Sequence, residues 1–136
     1  MDDVSSSAEI YLRRQARLAE SLQRRSLDAL ALNPGPSLTY LTGLNFHLME
    51  RPTAGIFVPG RAPTIVHAEL EGRKLETLPF PVESVAFGED PRDWPAAFRR
   101  AAQTAGIETA RVGVEPGRMR LLEFRYLKEA APEADF

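Results

Sequence analysis

The spacing of hydrophobic positions changes several times along this chain, and each change marks an element. From Ser7 to about Arg25, Ile10, Leu18 and Leu22, with Tyr11 and Ala19 beside them, form one apolar stripe among Arg, Gln and Glu. That is the pattern of an amphipathic surface helix with Ser7 as its N-cap, preceded by a polar, frayed start over residues 1 to 7. Leu27 to Asn33 is short, apolar and closed by Pro34-Gly35-Pro36, which predicts a buried strand. Ser37 to Leu44 reads as one or two helical turns ending near Gly43, where a missing Cβ suits a left-handed C-terminal residue.

A loop over Phe46 to Arg51 follows, and then two β-rich runs, residues 53–59 and 62–68, separated by Pro59-Gly60-Arg61 and short enough to pair as an antiparallel hairpin. Residues 69–78 predict a short helix weakened by Gly72. Residues 82–87 predict a further strand. Asp90-Pro91 opens a helix through Trp94, Phe98 and Ala101 that stops at Gly106. Residues 110–115 predict a last short strand, and Arg118 to Ala130 a last helix with Leu121, Leu122, Tyr126 and Phe124 inward. The closing residues, PEADF, complete no element, which gives the expectation of a chain that continues. The order α β α β β α β α β α predicts an α/β domain with a mixed sheet, its hairpin antiparallel and the strands joined through helices parallel.

Composition adds bounds to this picture. The 136 residues, 43% hydrophobic and 26% charged, fit one compact domain over residues 1–136. Seventeen basic and nineteen acidic side chains are spread along the chain for a net charge of -2, so neither nucleic acid nor an anionic membrane surface is an expected partner. No apolar run approaches bilayer length, the start has no leader-like pattern, and there is no cysteine, which removes disulfides, thiolate metal sites and thiol nucleophiles together. A cytoplasmic location is the expectation.

Candidate chemistry is sparse. His47 and His67, with Glu50, Glu69 and Glu71 nearby in sequence, are the first place to look for a metal or a base, but their spacing matches no helical pair of ligands. His67, at a strand end, reads as a polar-edge residue. No Gly-x-Ser-x-Gly elbow and no phosphate-cradling glycine pattern occurs, and Arg24-Arg25 and Arg99-Arg100 read as solvated helix faces. Arg51 stands out: it lies in a loop with Phe46, Leu48 and Met49, three large apolar groups of which Phe46 and Met49 read as core. A guanidinium beside apolar side chains suits an interface anchor or carboxylate recognition, and equally an ion pair within the chain to Glu50 or Glu69.

The segments Tyr40-Leu-Thr-Gly-Leu44, His47-Leu-Met-Glu-Arg-Pro52, Gly55-Ile-Phe-Val-Pro59, Ala62-Pro-Thr-Ile-Val66 and Glu69-Leu-Glu71, in this order and spacing, resemble the amino-terminal domain of the creatinase, prolidase and aminopeptidase P family. The resemblance covers nearly the whole chain and implies a ribonuclease-H-like, three-layer α/β domain with a mixed sheet of about five to six strands. It further implies a following pita-bread catalytic domain, absent from this chain, that binds two divalent metal ions, manganese or cobalt. By that resemblance this domain is itself inactive, mediates homodimer formation and lines the pocket of a Xaa-Pro metallopeptidase. In creatinases, as the resemblance implies, this loop reaches the partner subunit's active site with an aromatic residue and an arginine at the positions of Met49 and Arg51 here, and these two with His47 are the expected contacts to a proline-containing peptide. Met49 replaces an aromatic residue found in creatinases, which points away from creatine and toward a Xaa-Pro peptide. A free-standing binding or regulatory domain of the same fold, and a small hydrolase built on His47, His67 and Glu50, are the competing readings.

Overall fold

A computed structural model describes the backbone of residues 2–136 and the side chains from Ser7 onward. The chain folds as α1 (Asp2–Arg24), β1 (Ala29–Leu32), α2 (Pro36–Thr42), β2 (Ala54–Phe57) and β3 (Thr64–Ala68). A single 3-10 turn leads into α3 (Gly72–Glu76), and β4 (Glu83–Phe87), α4 (Trp94–Ala105), β5 (Val112–Gly113) and α5 (Leu121–Ala130) complete it. The five strands form one mixed sheet in the order β4-β3-β2-β1-β5. Strand β2 pairs antiparallel with both β1 and β3, while β3–β4 and β1–β5 are parallel, so β2 alone runs against the others.

Alternation along the strands splits the side chains between two cores, which makes the domain a three-layer sandwich. On one face Ala29, Ala31, Ala54, Ile56, Val66, Ala68, Val85 and Phe87 meet α4 and α5. The alanines of the sheet and Ala97, Ala101, Ala102 and Ala105 of α4 bring helix and sheet close, and Phe98, fully buried, stacks on Tyr126 of α5 with ring centroids 5.1 Å apart. On the other face Leu32, Phe57 and Ile65 meet Leu38, Leu41, Leu44, Phe46 and Leu75. Gly55 sits beneath α2, where a Cβ would stand 2.9 Å from Leu38 Cδ1, so glycine permits the close approach of helix to strand.

Several local expectations are corrected. Helix α1 runs from Asp2, leaving Ser7 inside it instead of capping it, since DDVSSS holds no glycine or proline to stop a helix. Its buried side is carried by Leu22 with Tyr11 and Leu18 partly covered, while Ile10 is left 42% exposed beyond the edge of the layer it packs on. β1 and β2 are joined through α2 yet antiparallel, so this helical connection returns the chain in the opposite direction instead of making a parallel pair. In α5 Leu121 is 62% exposed; Glu123 and Leu127 are the buried residues of the helix. The closing residues complete no element, as expected, and touch the sheet through one isolated bridge, in which Asp135 pairs with Arg111 in parallel and Val112 N–H donates to Asp135 O at 2.8 Å.

His67 is a core residue and not a polar edge. It is 1% exposed, on the α3 side of β3. Its Nδ1 lies 2.7 Å from Ala68 O and its Nε2 2.6 Å from Ser84 Oγ. A carbonyl only accepts, so Nδ1 carries the proton and Nε2 accepts from the Ser84 hydroxyl. Burial lowers the His67 pKa, and the hydrogen bond to Ala68 and the Glu71 charge oppose the effect only in part.

Two outcomes follow from the packing. Phe98→Ala is expected to destabilise the domain by about 3–5 kcal/mol in urea unfolding, with Leu121→Ala within about 0.5 kcal/mol of the parent. Because the native His67 pKa lies below its unfolded value near 6.5, the unfolded chain binds the proton first. Stability owed to this group is therefore constant above that value and falls as the pH drops through it. The shift in urea midpoint between pH 7.5 and 5.5 should shrink in His67→Gln; an equal shift in both proteins would assign the pH dependence elsewhere.

Candidate functional site

The loop between α2 and β2, residues 43–53, carries the three side chains singled out in the sequence, and both of its ends are fixed by the fold. It starts where α2 terminates at Gly43, whose φ of 80° is left-handed and whose missing Cβ leaves room for Tyr11 Oη. The last carbonyls of a helix lack partners within it. Here α1 supplies two, Arg14 Nη1 donating to Tyr40 O at 2.8 Å and Gln15 Nε2 to Leu41 O at 3.0 Å. Thr42 Oγ1 donates to Leu38 O and accepts from Leu44 N–H, and Thr39 Oγ1 donates to Leu44 O at 2.7 Å.

Beyond this cap the loop is held from α3, on the same face of the sheet as α2. Phe46 is buried in the α2-side core, as its sequence predicts, and Lys74 Nζ lies 5.2 Å from its ring centre while donating to Asn45 O. His47, Leu48 and Glu50 are exposed and Met49 is only partly covered. Arg51 follows with its side chain 23% exposed. Its Nη2 donates to Glu89 Oε1 at 2.6 Å, so the ion pair within the chain exists but with neither Glu50 nor Glu69. Glu89 reaches it from the β4–α4 connection, which is anchored by Trp94 Nε1 donating to Gly88 O at 2.9 Å and by Asp90 accepting from Arg92 N–H. The Glu89 carboxylate favours the charged guanidinium and raises the Arg51 pKa further. Glu89 itself is 72% exposed, which makes this a rim contact worth little to stability.

The far end of the loop is tied to α5 by two residues that sequence reasoning passed over. Glu123 is completely buried, accepts from Thr53 N–H at 3.0 Å and takes both Nε and Nη2 of Arg120, the Nε contact at 2.9 Å. The third nitrogen of that guanidinium, Nη1, donates to Met49 O at 2.7 Å. A carboxylate in the first turn of α5 also faces the positive end of its helix. Charged side chains are seldom buried, so Glu123 reads from sequence as a solvated position. The available signal was its i, i+3 spacing from Arg120 and its shared face with Leu127.

The fold thus brings His47, Met49 and Arg51 onto one outward loop, while His67 lies in the β3–β4 core on the α3 side. Among the described residues no group of three His, Cys, Asp or Glu side chains is placed to hold a metal ion. No helix of the described residues is long and apolar enough to cross a membrane.

Comparison with solved structures places this architecture. Dipeptidase PepE from Mycobacterium ulcerans is 26% identical and superimposes with a TM-score of 0.76 over 92% of this chain and 33% of its own. This chain therefore spans about a third of that protein's length. A proline dipeptidase from Streptococcus pneumoniae, 24% identical, matches with a TM-score of 0.71 over 90% of this chain and 87% of the other. The N-terminal domain of a Xaa-Pro dipeptidase from Lactobacillus brevis shares the fold at 15% identity, with a TM-score of 0.76 over 90% of this chain and 91% of its own. No curated protein sequence matches. The sequence profile of the Creatinase/Prolidase N-terminal domain matches residues 14–136, and this makes the chain a member of that family.

Proposed function

We propose that this chain is the N-terminal, non-catalytic domain of a longer cytoplasmic Xaa-Pro peptidase. In this reading the 43–53 loop lines the substrate pocket of a C-terminal catalytic domain, and Arg51 receives the carboxylate of a proline-containing peptide across a homodimer. The observation that carries it is the state of Arg51: a guanidinium presented on a backbone fixed at both ends, with its named partner being one exposed carboxylate, Glu89. A guanidinium fork can take a second carboxylate in parallel bonds, and an exposed pair is readily exchanged for one. Leu48, 54% exposed at the same loop, and the partly covered Met49 give apolar surface for a neighbouring domain or subunit. His47 is exposed beside them and completes the proposed wall of the pocket.

The described residues do not fit a metal centre, so the two divalent ions, manganese or cobalt, belong in this proposal to the catalytic domain outside the chain. Water activation and carbonyl polarisation would come from those ions. The role of this chain is to bind, orient and cover. The cytoplasmic placement rests on a cysteine-free sequence, which fits a reducing compartment.

Arg51→Ala in the longer protein is expected to lower kcat/KM for a Xaa-Pro dipeptide about thirtyfold, the scale of one charge-assisted hydrogen bond. Steady-state kinetics decide it, and an unchanged kcat/KM would reduce Arg51 to a structural residue.

A further inference from the structure

Arg120 and Glu123 lie one turn apart at the start of α5, and between them they hold the backbone on either side of Arg51. Arg120 Nη1 donates to Met49 O at 2.7 Å, and Glu123 accepts from Thr53 N–H at 3.0 Å. The two residues are in turn locked to each other through Nε and Nη2 of the guanidinium. Glu123 has no exposed surface, the Arg120 side chain is 26% exposed, and no buried side-chain nitrogen or oxygen of the described residues lacks a partner. Hydrogen bonds to charged groups are the stronger kind, and water cannot replace them where the carboxylate is fully covered.

We infer that Arg120 and Glu123 are positioning residues for Arg51, an assignment that rests on the reading of Arg51 as a carboxylate receptor. The division of labour follows from the burial of the two carboxylates, Glu89 being 72% exposed and Glu123 fully covered. Glu89 touches the Arg51 side chain at an exposed rim and can yield it to a ligand, whereas Arg120 and Glu123 hold the loop through its backbone and do not bond the Arg51 side chain. The segment from Met49 to Thr53 has both ends fixed and little freedom to move the Arg51 Cα. A receptor held this way loses less freedom on binding, and a displacement of about 1 Å at such a group costs on the order of a hundredfold in rate.

The test uses the longer protein and two substrates, a Xaa-Pro dipeptide and its C-terminal amide, which lacks the carboxylate. Arg120→Gln should lower kcat/KM for the dipeptide about tenfold, mainly through KM, and leave the amide nearly unchanged. In an Arg51→Ala background it should cause no further loss, since it acts through Arg51. Equal losses for both substrates, or a loss that adds to that of Arg51→Ala, would overturn the assignment and leave Arg120 as a fold residue. No effect of Arg120→Gln, with Arg51→Ala still selective for the dipeptide, would also overturn it while the carboxylate reading stands. If Arg51→Ala itself fails to separate dipeptide from amide, the carboxylate reading falls and the assignment falls with it.

Amide exchange on the 136-residue chain gives a readout free of activity. Glu123→Gln should speed exchange at Thr53 about tenfold or more, with Ile65 and Val66 unchanged. Uniform acceleration across the sheet would instead show a general loss of stability and count against local positioning.

Discussion

The buried carboxylate of Glu123 is the constraint on which the presentation of the loop depends. An ionised group without exposed surface must have every oxygen occupied or the fold loses more by covering it than it gains. Arg120 and Thr53 N–H occupy both oxygens, and the nitrogen of Arg120 left over is used on Met49 O. Satisfying one buried acid therefore fixes two points of a loop that has no secondary structure of its own.

The rest of the domain can be seen as the support for that arrangement. The sheet sets β2 where Thr53 enters it, the alanine-rich contact of α4 draws the helical layer close, and α5 packs beside α4 through Phe98 and Tyr126. On the opposite face α1 caps the end of α2, so the loop leaves a helix that is itself tied down. The two ends of the loop are thus held from two different layers of the sandwich, with exposed side chains between them. That geometry leaves the loop stiff in its backbone, with Arg51 tied at its tip only to the exposed Glu89.

Much of this was legible in the sequence, and what was not has identifiable physical causes. Two β-rich runs and the Pro-Gly turn between them predict the hairpin, Gly43 and Gly106 predict helix ends that occur there with φ of 80° and 74°, and the mixed α/β class follows from the order of elements. The resemblance to the family implies the three-layer fold that is found. The partners were not legible. Glu89 is far from Arg51 in the chain and meets it only because β4 adds to β3 in parallel. Glu123 and His67 are polar residues placed inside, against the usual distribution, and each is admitted by hydrogen bonds that only the tertiary arrangement supplies. Leu121 and Ile10 erred in the opposite sense, because an apolar stripe wider than the layer beneath it leaves its margin in water.

The most direct test of the central claim compares hydrolysis of a Xaa-Pro dipeptide by the 136-residue chain alone and by the longer protein, in manganese and again in cobalt, with bound metal measured on both. The account predicts that only the longer protein holds stoichiometric metal and cleaves the peptide. Cleavage and stoichiometric metal binding by the 136-residue chain unaided would contradict it, and would return the chemistry to His47, His67 and Glu50.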